Sequence, residues 1–216
     1  MERKGSFREA IKYFDSFLTI LKKEDDLFYP TLAHKGYCYA VSLDEVKAKK
    51  MLDAIPDDNQ DKSVSFLIAN AHLVLGEMKK NLNHTQIALK KFKYIYEKID
   101  INSPDAYNGY GRANLLLNEF DRSNADNYLD DALKAFCRAI KINNKVSYYY
   151  NNLGVGYYRL NDWDRAKKCF EKTMQLSRET DLSYKKALKN MNHINKMEAK
   201  EVKRKPIRIF NCPDIH

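Results

Sequence analysis

Glycine and proline are scarce here, seven and five in 216 residues. A β-sandwich or barrel needs many more turn residues, and a collagen-like or glycine-rich chain is excluded outright. Long apolar runs are missing too. No uncharged stretch approaches the roughly 20 residues that a bilayer crossing requires, and the opening Met1-Glu2-Arg3-Lys4-Gly5-Ser6 lacks the apolar centre of a secretory signal. The four cysteines, Cys38, Cys137, Cys169 and Cys212, form no CxxC pair and no disulfide framework. That pattern predicts reduced thiols and a cytoplasmic location. Aromatics are plentiful by contrast: fifteen tyrosines and ten phenylalanines supply enough area for a packed interior. A largely helical, all-α protein is what these absences leave.

The charge is uneven. Of a net +9, residues 165–216 carry an excess of eight, with fourteen Lys/Arg against six Asp/Glu. The other three quarters of the chain are almost balanced, so the basic character belongs to one end.

A small-then-bulky signature recurs along the chain: Ala10–Phe14–Phe17, Ala48–Leu52–Ile55, Ala88–Phe92–Ile95, Ala132–Phe136–Ala139 and Ala166–Phe170–Thr173. Offsets of four and seven set the three side chains on one helical face. A second signature precedes it, with Gly36 beside Tyr39, Gly111 beside Asn114 and Gly154 beside Tyr157. Gly36 to Ala48 and Gly154 to Ala166 are both twelve residues, the spacing of two short helices joined by a tight turn. Residues 147–180 carry the fullest set: Tyr150, Leu153-Gly154, Tyr157, Trp163, Ala166, Phe170 and Leu176. On these residues the chain resembles the tetratricopeptide repeat family, and Leu32, Gly36, Tyr39, Ala48, Leu52 and Pro56 extend the likeness to residues 29–62.

The resemblance implies a right-handed α-solenoid of antiparallel helix pairs. The pairs fall at 29–62, 63–103, 104–146 and 147–180, after a partial repeat at 1–28 that supplies only a second helix. A lone second helix leaves an apolar face open, so the expectation is a piece of a longer array, the alternative being an irregular helix that caps this end. The alanine anchors lie 38, 40, 44 and 34 residues apart, where the family's usual interval is 34. Lengthened inter-helix loops near 77–83 and 118–126 are the expected home of the excess. Residues 181–203 read as a basic amphipathic capping helix with a stripe of Leu182, Ala187, Leu188, Met191, Ile194 and Met197. Pro206 breaks it, and residues 204–216 form a tail.

No catalytic constellation emerges. His34, His72, His84, His193 and His216 show no HxxxH or HExxH pairing, so no metal site and no cofactor are expected. Cys38, Cys137 and Cys169 read as small core residues within helices. Gly109-Tyr110-Gly111 and Gly154-Val155-Gly156 lack the third glycine or the Lys-Ser/Thr of phosphate loops. Asp25-Asp26, Asp57-Asp58 and Asp130-Asp131 are expected at helix ends as caps, not as an acid–base pair. The chain is expected not to be an enzyme.

In the family the first helices line a concave groove that holds an extended peptide or a partner helix. By that resemblance the groove positions are Asn108 and Arg112, then Tyr148, Asn151, Asn152 and Arg159, flanked by Asp105, Leu115, Leu116, Val155 and Tyr158. Asn pairs with both groups of an extended backbone, and Arg holds a carboxylate in two-pronged fashion. The matching N-terminal positions, Ala33, Tyr37, Ala40, Val41, Phe66, Asn70, Leu73 and Val74, are less polar and suit an apolar side chain. Ala33 and Tyr37 interrupt the family's clamp for a terminal carboxylate. The function this implies is a non-catalytic protein–protein interaction scaffold. The alternative is a nucleic-acid-associated repeat protein. Lys203, Arg204, Lys205 and Arg208 would then meet phosphate, or an acidic partner, and the tyrosines at 148–150 would stack bases.

Overall fold

The computed structural model describes residues 2–57, 59–200 and 209–212, and every regular element among them is helical. No helix among the described residues is long and apolar enough to cross a membrane. The chain divides into two compact units, Met1–Ile101 and Asn102–His216.

The first unit contains α1 (Glu2–Leu18), α2 (Phe28–Val41), α3 (Glu45–Leu52), α4 (Lys62–Lys79) and α5 (Leu82–Tyr94), closed by one π-helical turn, Ile95–Ile99. Helix starts are set by side chains that satisfy otherwise orphaned amides. The Asp61 carboxylate accepts from the Ser63 and Val64 amides, Asp44 from that of Lys47, and the Asn81 side chain from that of His84. Two of the expected acidic pairs do not serve this way. Asp130 and Asp131 lie within the first half of a helix, and the Asp25 carboxylate accepts from the Lys22 amide in a loop. Helix α2 packs against α1, α3 and α4, and α4 against α5. Leu32, Ala33, Ala40, Ala48, Leu52, Ile68, Ala71 and Leu75 form the core between them.

The second unit contains α6 (Pro104–Phe120), a single 3-10 turn at Arg122–Asn124, α7 (Ala125–Ile142), α8 (Ser147–Arg159), α9 (Trp163–Gln175) and α10 (Leu182–Glu198). Helix α6 packs on α7, α8 on α7 and α9, and α10 against α9 and α8. Helix α9 illustrates the pattern: Trp163, Ala166, Cys169, Phe170 and Thr173 are buried on one face while Lys168, Glu171 and Lys172 are exposed. Burying a side chain such as Phe170 contributes roughly 1.5–3 kcal/mol.

The extra residues in the longer repeats mostly lengthen helices instead of loops. Helix α4 runs to Lys79 and α5 starts at Leu82, so two residues link them where the sequence suggested a loop over 77–83. Helix α6 likewise runs to Phe120, and the 3-10 turn fills most of the gap to Ala125. An uninterrupted helix satisfies its own backbone, whereas a loop needs outside partners.

The cysteine expectation is corrected. Residues 209–212 return to the second unit, and Cys212 is disulfide-bonded to Cys137, 75 residues earlier. Spacing along the chain measures no distance in the fold, and the bond removes the argument from reduced thiols to a reducing compartment. Cys38 and Cys169 are free and buried, and burial pushes the Cys169 thiol up to about 12.

Candidate functional site

Helices α6 and α8 run parallel, and their contacts keep a nearly constant register. The Tyr148 and Tyr149 hydroxyls both donate to the Asp105 carboxylate at 2.6 Å, 43 and 44 residues away. The Asn152 amide donates to the Asn108 carbonyl at 2.8 Å, again 44 residues apart. At the far end the Arg159 guanidinium donates to the Leu115 backbone carbonyl at 2.5 Å, to the Asn118 side chain at 2.9 Å and to Glu119 at 3.2 Å. Helix α10 continues the row: Ser147 donates to Ser183 at 3.1 Å, and the Tyr158 hydroxyl meets His193 Nε2 at 3.1 Å. First helices of successive pairs therefore stand side by side, joined by a ladder of polar contacts.

The six groove residues suggested by the sequence lie on α6 and α8 in differing states, and Asn108, Tyr148, Asn152 and Arg159 take part in the contacts between the two helices. Tyr148 is exposed, Arg112, Asn152 and Arg159 are half-buried, and Asn108 and Asn151 are buried. Burial and the hydrogen bond to Asp105 push the Tyr148 hydroxyl up to about 12, so it remains a donor at neutral pH. Burial pulls the Arg159 guanidinium down, opposed by the Glu119 charge. Asn151 differs from its neighbours: its buried side-chain oxygen has no hydrogen-bond partner among the described residues. An unmet buried acceptor costs roughly 1–3 kcal/mol.

The other sequence-based candidates fare differently. Ala33, Ala40 and Leu73 are wholly enclosed between helices, so they line no groove. Phe66 stacks edge-on to Phe92 at 5.8 Å. Lys203, Arg204, Lys205 and Arg208 lie outside the described residues.

Sequence reasoning also missed a histidine pair in the first unit. His72 Nδ1 and His84 Nδ1 are 2.8 Å apart, and His84 Nε2 is 3.1 Å from the Glu45 carboxylate. Nε2–H of His84 donates to Glu45, and one hydrogen is shared between the two Nδ1 atoms of the pair. Both rings are buried beside a cavity of about 470 Å³ that Lys49, Asp57 and Lys91 also line. The pair is twelve residues apart, the spacing that sets Gly36 against the Ala48 helix, and that signal was available. Among the described residues, no three His, Cys, Asp or Glu side chains gather to hold a metal ion.

Stacked helix pairs whose first helices form a parallel polar row define the class of helical-repeat proteins. Residues 147–179 match the family described as Tetratricopeptide repeat, and the all-helical fold of the chain is like that of tetratricopeptide-repeat proteins. Superkiller protein 3 of Schizosaccharomyces pombe is 25% identical over 195 residues, covering 90% of this chain; the chain spans 13% of that protein's length. Among solved structures, MamA from Desulfovibrio magneticus RS-1 is similar with a TM-score of 0.55 at 22% identity, covering 83% of this chain and 90% of that one. YrrB, described as a TPR protein with an unusual peptide-binding site, gives a TM-score of 0.50 at 17% identity, covering 87% and 84%. At these identities the likeness to solved structures is one of fold.

Proposed function

We propose that the chain is a non-catalytic interaction module, and that the α6–α8–α10 face of the second unit receives an extended peptide or a partner helix. The observation that carries this reading is Tyr148, exposed on α8 and held by its hydroxyl on Asp105 at 2.6 Å within the polar row. Its ring offers a bound segment a broad, rigid surface at small conformational cost. The described peptide-binding site of YrrB, a protein of the same fold, agrees with this kind of ligand.

Native pull-down and mass spectrometry would identify a partner, and calorimetry would then measure its affinity for variants. Tyr148→Ala, which truncates the exposed aromatic contact, is expected to weaken binding about tenfold, with helical content unchanged. Lys168→Ala/Lys172→Ala, on the exposed side of α9, is expected to leave affinity unaltered. The reverse pattern would put the partner on the second helices and overturn this assignment. Capture of nuclease-sensitive nucleic acid instead of protein would favour the basic C-terminal reading.

A further inference from the structure

Residues 209–212 bury little of themselves. Ile209 is 76% exposed and Asn211 is exposed; only Cys212 is buried, with Phe210 partly so. Among the described residues, two non-covalent contacts hold the segment. Asn211 accepts from Arg165 Nη2 at 2.7 Å, and the Phe210 ring lies 6.4 Å from that of Tyr157. Two partly or wholly buried side chains and one hydrogen bond barely offset the entropy of ordering four residues. The covalent bond from Cys212 to Cys137 on α7 therefore does most of the fastening.

The surface beneath is built independently of the segment. Arg165 Nη1 donates to Asp162 at 2.5 Å, and the guanidinium stands 5.9 Å above the Tyr157 ring. Asp162 is buried and caps α9 through the Arg165 amide, so this arrangement persists when the segment leaves. Its departure would free one guanidinium edge and uncover the Tyr157 ring together.

We propose that Cys137 and Cys212 form a redox latch: oxidised, they hold residues 209–212 across α8 and α9, and reduced, they release them and uncover Tyr157 and Arg165. The opening step is thiol–disulfide exchange with a dithiol. Two electrons and two protons pass from the dithiol to the protein, the Cys137–Cys212 bond breaks, two S–H groups form, and the reductant closes to its own disulfide. Glutathione disulfide reverses the step, leaving two molecules of glutathione. The latch is separate from the α6–α8–α10 face and stands whether or not that face binds a peptide.

The test uses the full chain after incubation with glutathione disulfide or with dithiothreitol. Alkylation in denaturant followed by mass spectrometry is expected to count two thiols, Cys38 and Cys169, in the oxidised sample and four in the reduced one. Hydrogen exchange is expected to quicken at least tenfold at residues 209–212 on reduction, while α6 is unchanged. Cys212→Ser is expected to exchange fast in both buffers, and Asn211→Ala, which keeps the bond, slowly in the oxidised one. Four thiols after the oxidant, or exchange at 209–212 indifferent to reduction, would overturn the latch.

Discussion

A Cβ added to Gly154 would lie 2.6 Å from Cε1 of Phe170. The same relation holds between Gly111 and Phe136, at 2.5 Å. Each glycine opens a hole in the first helix of a pair, and each phenylalanine from the second helix fills it. Both rings are fully buried, so neither has space to retreat.

Gly154→Ala is therefore expected to destabilise the second unit by roughly 1–3 kcal/mol, the usual cost of overpacking. Denaturant midpoints would measure it. Lys172→Gln, at an exposed position on the same pair, is expected to stay within about 0.5 kcal/mol of the parent. The double variant Gly154→Ala/Phe170→Leu should recover part of the loss, because the smaller side chain vacates the contact. Strict additivity of the two changes would mean that the residues do not share a hole.

The pairing of Gly154 with Phe170 was legible because both lie in one helix hairpin, where a fixed spacing along the chain becomes a fixed distance in space. The ladder between α6 and α8 was legible only as a set of positions. Its offset of 43 to 44 residues exceeds the family's usual 34, because α6 and α7 are long helices of 17 and 18 residues. Sequence reasoning therefore named Asn108 and Asn152 but not their mutual bond. It also named Arg159 without its three contacts to α6. Cys137 and Cys212 were opaque for a simpler reason: no periodic element links α7 to residues 209–212.

Three links between paired helices carry a residue with positive φ: Leu43 at 64°, Lys80 at 51° and Asn161 at 60°. Asparagine tolerates this conformation, whereas leucine and lysine are strained there by roughly 1 kcal/mol or more. Lys80 is exposed, so its side chain contributes little packing to offset that strain. Lys80→Gly is expected to stabilise the first unit by about 0.5–1 kcal/mol, reduced somewhat by the greater freedom of glycine in the unfolded chain. Lys80→Val, with a branched Cβ in the same conformation, is expected to destabilise it. Thermal melts of the two variants should move in opposite directions.

Burial, then the neighbouring charges of His84, Lys91 and Lys49, pull the His72 imidazole down from 6.5 to about 4. A group whose folded value is depressed binds fewer protons when folded than when unfolded across that interval. Its contribution to stability is complete above about pH 6.5 and is lost as the pH falls towards 4. The loss approaches about 3 kcal/mol at the acid end, from 1.36 kcal/mol per unit. His72→Asn keeps a hydrogen-bonding group beside His84 but does not titrate. The stability gap between parent and variant is expected to narrow by that amount from pH 7.5 to 4.5. A gap that stays constant would show that His72 keeps an ordinary proton affinity.

Arg159 decides between a structural and a ligand-binding use of the groove's far end. Its guanidinium donates to the Leu115 carbonyl, Asn118 and Glu119, so one side chain on α8 ties down the last turns of α6. Hydrogen bonds from a charged donor are worth roughly 1.5–3 kcal/mol. The contact to half-exposed Glu119 adds little to this, because solvent screens it. Arg159→Met keeps the aliphatic stem and removes the donors. It is expected to cost roughly 1–3 kcal/mol of stability in the second unit. Arg159→Lys should recover only part of this, since an ammonium on a flexible stem does not reproduce the planar fork that spans Leu115 and Asn118. Both variants would be compared by denaturant unfolding and by calorimetry with an identified partner. A variant that unfolds early but binds normally at low temperature marks Arg159 as the clamp between α6 and α8. A variant as stable as the parent that has lost affinity would instead make the guanidinium a ligand contact, as its position on the first helix of the repeat suggests.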